Sequence, residues 1–255
     1  MHSISRAIIE LHAIDRESRR PGWLQSVYPL CKLLVTLAYL VVLLSFGKYH
    51  LAGILLMACY LVVCFIANGV SVNLLLRRMW FILLLVAFVG LPNVFIDHQP
   101  MLQVGNVVVT GGMLSMTTLF LKGVFAVTAA YLLMVTTPME TICGALRQLH
   151  VPAVIVTVFM LVYRYLIVLL KEVERMTCAY SLRAPGQRGV HFKVWGTMVG
   201  QLLLRSIDRA QMVYESMSLR GFDGEFYVSQ DRKACWGDWL YALGWISFFL
   251  IIRFL

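Results

Sequence analysis

Residues 28–67 read YPLCKLLVTLAYLVVLLSFGKYHLAGILLMACYLVVCFIA, and this stretch decides the fold. It holds two apolar runs, about Tyr28 to Phe46 and Leu51 to Ala67, parted only by Gly47-Lys48-Tyr49-His50. A helix rises about 1.5 Å per residue and the hydrocarbon core is about 30 Å thick, so runs of roughly 18 apolar residues are long enough to cross a bilayer. The first run is too long for a signal-peptide core and has no small-residue cleavage site, so it reads as a retained span. Lys32 sits near its end, where the side chain can snorkel.

Upstream, residues 1–26 form a charged leader with Asp15, Arg16, Glu17, Arg19 and Arg20, closed by Pro21-Gly22. Downstream, Arg77 and Arg78 precede a third apolar run, about Trp80 to Phe95. Residues 97–112 then carry no Lys or Arg, and a fourth run extends from about Met113 to Val135. Lys122 lies deep in that run, where an interior partner and a snorkelling position are equally open. A last run covers about Trp236 to Phe254. The composition agrees: 60% hydrophobic and 14% charged, against about 25% charged in soluble domains.

The formal net charge is +9, but the cations cluster between and beside the spans, which speaks against nucleic acid. Positive charge marks the cytoplasmic side of a membrane protein. The Arg77-Arg78 loop is therefore placed inside and 97–112 outside, which puts the N-terminus and the region 136–235 in the cytoplasm. The six cysteines form no C-x-x-C pair and lie mostly in apolar helical sequence, as packing or lipid-facing thiols.

The region 136–235 is different in kind. Thr137-Pro138 opens one helix and Pro152 restarts another that extends to about Ser181. The first half of that second helix is apolar enough to pass for a span, and Tyr163-Arg164-Tyr165 in its middle argues against one. From Phe192 to Leu219, apolar Trp195, Met198, Leu202, Ile207, Ala210, Val213 and Met217 recur at helical spacing, opposite Lys193, Arg205, Asp208 and Glu215. The expected fold is an all-α integral membrane protein with about five transmembrane helices and about three amphipathic cytoplasmic helices. Its divisions are residues 1–135, a cytoplasmic module at 136–235, and a final span at 236–255.

Chemical motifs are sparse. No phosphate-binding G-x-x-x-x-G-K-[ST], H-E-x-x-H or G-x-S-x-G occurs, and the histidines stand apart. Asp97-His98 could meet a metal at the outer surface, but a solvated loop pair is the simpler reading. No catalytic residue, cofactor site or metal site is assigned to this chain. What does repeat is Ser181-Leu182-Arg183-Ala184-Pro185-Gly186 and Ser218-Leu219-Arg220-Gly221-Phe222-Asp223-Gly224. Arginine at a helix C-terminus suits the dipole, and glycine is a common stop. Two such tips in one module also suit docking, because a guanidinium is a rigid fork that grips carboxylates in pairs.

In these residues the chain resembles the transmembrane (T) component of energy-coupling factor (ECF) transporters, most closely the cobalt and nickel branch (CbiQ-like). The likeness extends over nearly the whole chain. It includes Asp15-Arg16, Thr136-Thr137-Pro138, Leu146 through Leu149 to Val151-Pro152, Tyr163-Arg164, Glu172, Ala179, Arg183 and the block from Ser218 to Gly224. The first tip departs from the family's A-R-G-like form in having Leu-Arg-Ala followed by Pro185, and Pro29-Leu30-Cys31-Lys32 replaces the frequent Pro-Arg-x-Lys.

The resemblance implies a scaffold in the plasma membrane that is not itself an enzyme. Two ABC-type ATPases, which bind the ATP, would grip the coupling helices, and a separate substrate-binding (S) membrane protein would carry the cargo. Cobalt is the expected cargo, with nickel next and a vitamin as the alternative. Arg183 and Arg220 would make the ATPase coupling contacts, supported by Ser181, Leu182, Ala184, Ser218, Leu219 and Gly221. The amphipathic helices would pivot with an apolar face on the bundle. A reading of another class is a membrane-embedded enzyme or a lipid-interface protein, since basic amphipathic helices also bind anionic lipid.

Overall fold

The computed structural model describes residues 24–47, 50–68, 100–104, 107–187, 189–224, 226 and 235–254, and isolated positions 9, 18, 84, 86, 88 and 90. The charged leader with Asp15-Arg16, the Arg77-Arg78 loop, most of the expected third span and the Asp97-His98 pair lie outside the described residues. The chain divides into two compact units, one of Ser18–Pro138 with Asp231–Leu255 and one of Met1–Glu17 with Met139–Gln230.

In the first unit, α1 (Pro29–Ser45), α2 (Leu51–Asn68), α3 (Gly111–Thr136) and α7 (Trp236–Phe254) are the apolar helices, and positions 84, 86, 88 and 90 are helical as well. The chain is a multi-pass, helical membrane protein. Pro29 stands in the first turn of α1, where its fixed φ suits a helix start and its missing N–H is no loss. One β-hairpin interrupts the helices among the described residues: β1 (Pro100–Val104) pairs antiparallel with β2 (Val107–Thr110), setting Gln103 against Val108. It falls in the segment read from sequence as an outer loop.

The packing direction follows from four contacts. Lys32 Nζ donates to the Thr136 carbonyl at 3.1 Å and to Thr137 Oγ1 at 3.5 Å, which sets the end of α3 beside the start of α1. Lys122 Nζ donates to the Phe46 carbonyl at 2.6 Å, so midway along α3 the chain meets the end of α1. The two helices are therefore antiparallel. Against α7 the sense is opposite. Tyr39 packs on Phe249 with ring centroids 5.4 Å apart, and Arg253 Nε donates to Ser45 Oγ at 3.0 Å, so α1 and α7 run parallel. Tyr60 of α2 completes the aromatic core, 5.0 Å from Tyr39, 5.3 Å from Phe249 and 4.9 Å from Trp245.

These directions settle a question that hydropathy leaves open. The second unit holds α4 (Met139–Gln148), α5 (Ala153–Arg183) and α6 (Phe192–Leu219). By length and composition α5 is apolar enough to cross a membrane, and it runs without a break through Tyr163-Arg164-Tyr165. Yet α3 ends, and α7 begins, on the bundle face where α1 begins. A segment that leaves and returns on one face crosses an even number of times or not at all. With 10 residues α4 is too short to make a second crossing, and α6 is not apolar enough. Thus α5 is no lone span. The helix expected to open at Thr137-Pro138 begins at Met139, with Pro138 just ahead of it.

Close approach in the first unit rests on Gly123, where a Cβ would come within 2.7 Å of Val86 Cγ1, whereas Gly244 faces open space. Gly123→Ala is expected to destabilise the bundle by about 1–3 kcal/mol through overpacking. Gly244→Ala should leave the thermal midpoint in mild detergent unchanged, and equal midpoints for the two variants would refute the packing described.

Candidate functional site

Both arginine motifs lie in the second unit, and local chemistry explains how each helix stops there. At the end of α6, Phe222 N–H donates to the Met217 carbonyl at 3.1 Å and Gly221 N–H to the Ser218 carbonyl at 3.0 Å. Gly221 has φ 74°, left-handed backbone that favours glycine. Together these make a Schellman stop with Arg220 as the capping residue, and Met217 and Phe222 line the same apolar groove. Gly221 is thus needed by the turn whatever else it does.

α5 cannot stop that way. Ala184 stands in the motif where α6 has Gly221, and the residue just past the α5 cap is Pro185, which has no N–H to donate and a φ locked near −65°. Instead Ala184 N–H donates to the Tyr180 carbonyl at 3.0 Å, and Tyr180 Oη donates to Gln187 Oε1 at 2.7 Å, folding the loop back on the helix. The Ser181 hydroxyl donates to the Cys178 carbonyl at 2.8 Å. Arg183, Arg220, Ser181, Leu182, Ser218, Leu219 and Gly221 are exposed, and Ala184 is half-buried. Leu182 is 77% and Leu219 89% exposed, so each arginine stands beside an uncovered leucine.

The two tips are not brought together. Thr157 Oγ1, near the start of α5, donates to the Gly224 carbonyl just past α6 at 3.2 Å. Midway, the Arg205 guanidinium pairs with Glu172, which also holds Arg175 at 3.7 Å. Towards the end of α5, Tyr180 and Val173 face Trp195 and Leu202 across a cleft of about 550 Å³. The helices are antiparallel, so Arg183 and Arg220 lie at opposite ends. Thr157 to Arg183 is about 39 Å of helix at about 1.5 Å per residue. The sequence pairs the motifs as equivalents but carries no signal for the Thr157–Gly224 bond or for this separation.

Within the second unit, α6 buries none of its residues and α5 buries only Val156 and Thr157. α4 packs along α5, where Glu140, Cys143, Tyr163, Arg164 and Phe226 border a cavity of about 350 Å³. Burial, reinforced by the Glu140 carboxylate, pushes the Cys143 thiol above its ordinary range, so it serves packing rather than reactivity. Arg188, Arg232 and Lys233 lie outside the described residues.

The chain is similar in sequence to several known proteins. An uncharacterized protein of Methanocaldococcus jannaschii is 25% identical over 220 residues, covering 83% of this chain and 75% of its own. The nickel permease LarQ of Lactiplantibacillus plantarum is 29% identical over 105 residues, 41% of this chain and 38% of its own. The cobalt transport protein CbiQ of Rhodobacter capsulatus is 30% identical over 100 residues, 39% of this chain and 41% of its own. The match thus spans three-quarters of the archaeal relative and less than half of either named transport protein. The family described as cobalt transport protein, CbiQ, matches residues 22–230. With most of its length inside that match, the chain belongs to the CbiQ cobalt transport protein family.

Proposed function

We propose that the chain is the transmembrane coupling (T) subunit of an ECF-type ABC importer for cobalt, with nickel as the second cargo. The observation that carries this reading is the pair of exposed helix ends, one closing on Arg183 and the other capped by Arg220, at opposite extremes of α5 and α6. One partner surface could not grip both ends, whereas two copies of one partner could take one each. The partners are two ABC-type ATPases, which bind and hydrolyse the ATP, and a substrate-binding S component in the same membrane. The module 136–235 and the N-terminus are cytoplasmic. Closure of the ATPases would shift the helix pair through its two tips and pass the movement to the apolar surface of α6, where Leu203, Leu204 and Tyr214 are exposed.

Arg183 and Arg220 would each form a charge-assisted fork with a carboxylate of an ATPase. Leu182 and Leu219 would seal the contact, while Ser181, Ala184, Ser218 and Gly221 shape the two helix ends. Removing one arginine at such a centre costs about 2 kcal/mol or more, roughly a thirtyfold loss of affinity. Losing only its interaction with the helix dipole would cost about 0.3–1 kcal/mol of stability and leave binding intact. Arg183→Ala and Arg220→Ala are expected to lower ATPase co-purification and metal uptake, with Lys recovering part of both. Wild-type assembly and uptake in both alanine variants would rule the coupling role out.

Tagging the chain and purifying it from its own membranes in mild detergent tests the assembly directly. Two ABC ATPases and a small membrane protein are expected in the eluate, and the ligand of that small protein names the cargo. Recovery of the chain alone from several detergents would refute the proposal. Impermeant labelling in intact cells should reach a cysteine placed at position 50 but not one placed at position 9. The reverse pattern would overturn the orientation.

A further inference from the structure

Two features of the α5–α6 pair lie apart from Arg183 and Arg220, and they share a wall. The first is an apolar groove of about 610 Å³ lined by Leu161, Leu166, Leu169, Val213, Met217 and Phe222 among others. The second is a cavity of about 500 Å³ where Lys171, Arg175, Arg205 and Arg209 stand against only Glu172 and Asp208. Val168, Leu169 and Arg209 border both, so one continuous depression is greasy at one end and cationic at the other. Both volumes fall within the ~300–1,000 Å³ usual for small-molecule sites.

The charges are not used up internally. Glu172 is engaged by Arg205 and Arg175. Among the described residues, no ion pair joins Lys171 or Arg209 to a carboxylate. An occupant must therefore cover apolar surface and bring negative charge to the Arg209 end. The segment holding the depression also leaves α3 and re-enters α7 at the bundle end where α1 begins, and Trp236 at the start of α7 is 92% exposed, as suits a residue type enriched at membrane interfaces.

We propose that this depression is a binding site for one anionic phospholipid. An acyl chain lies along Leu166, Leu169 and Val213, and the phosphate is held by Lys171 and Arg209. The bound lipid fills the space that the two helices leave open and tethers the pair to the membrane face. This site does not depend on the coupling role, because neither Arg183 nor Arg220 borders it.

The test uses the full chain, purified in dodecyl maltoside and stripped of phospholipid. Dioleoyl phosphatidylglycerol is expected to raise the thermal midpoint by about 3–5 °C, with dioleoyl phosphatidylcholine giving less than half of that and inorganic phosphate no shift. The double variant Lys171→Gln/Arg209→Gln should keep the lipid-free midpoint and lose the advantage of the anionic lipid. Leu166→Gln should weaken the response to both lipids. Equal shifts with the two lipids would mean unspecific solvation and overturn the proposal. A shift with phosphate alone would make the site one for a free anion, and a full response in the double variant would remove its charge basis. If a co-purified substrate-binding protein or ATPase abolishes the response, and binds the double variant less well, the groove is a protein seat and the proposal fails.

Discussion

Hydrocarbon supplies no hydrogen-bond partner, and the first unit is organised by that lack. The carbonyls at a helix C-terminus are orphans inside the helix, and in a membrane they are costly to leave so. Here lysine satisfies them. Lys32 is 4% exposed and spends donors on Thr136 at the end of α3, while Lys122 serves Phe46 at the end of α1. Thr36, Thr118, Thr128 and Thr136 turn their hydroxyls back onto carbonyls of their own helices. Each lysine is thus a cap supplied from another helix, and the two together hold α1 and α3 in antiparallel register.

Helix association in a membrane draws on packing more than on expulsion of apolar surface from water. The first unit accordingly joins α1, α2 and α7 through stacked and edge-on rings of Tyr39, Tyr60, Trp245 and Phe249. Gly123 meanwhile lets α3 approach the helix that carries Val86. The second unit is built on other terms. α6 is only partly covered by α5, through Leu202, Val213 and Met217, so its 28 residues lean on helical propensity, the Schellman stop and the Glu172–Arg205 pair.

The two arginine motifs show how similar sequences reach one outcome by different means. Gly221 accepts the left-handed turn, and the α6 carbonyls are satisfied by Gly221 and Phe222. Pro185 forbids that turn, and the Tyr180–Gln187 bond does the folding back in its place. In both cases the guanidinium ends beside an exposed leucine at the limit of a helix. The departure of the first motif from its family's form therefore changes the stop and leaves the presentation of the arginine intact.

Periodicity and hydropathy are properties of neighbouring residues, and on their own they determined the apolar helices, the amphipathic Phe192–Leu219 helix and the positions of both arginine ends. They could not determine anything that turns on partners far apart in the chain. Whether Lys122 snorkels or pairs was open until Phe46, 76 residues away, came within 2.6 Å. Hydropathy made α5 apolar enough for a span with only Tyr163-Arg164-Tyr165 against it, until the parallel sense of α1 and α7 showed that the chain leaves and returns on one face. The hairpin at 100–110 and the opposite placement of Arg183 and Arg220 were likewise invisible, since strand pairing and the Thr157–Gly224 bond carry no local signature. Local pattern decides what each segment is. Only tertiary contact decides which way it runs and whom it meets.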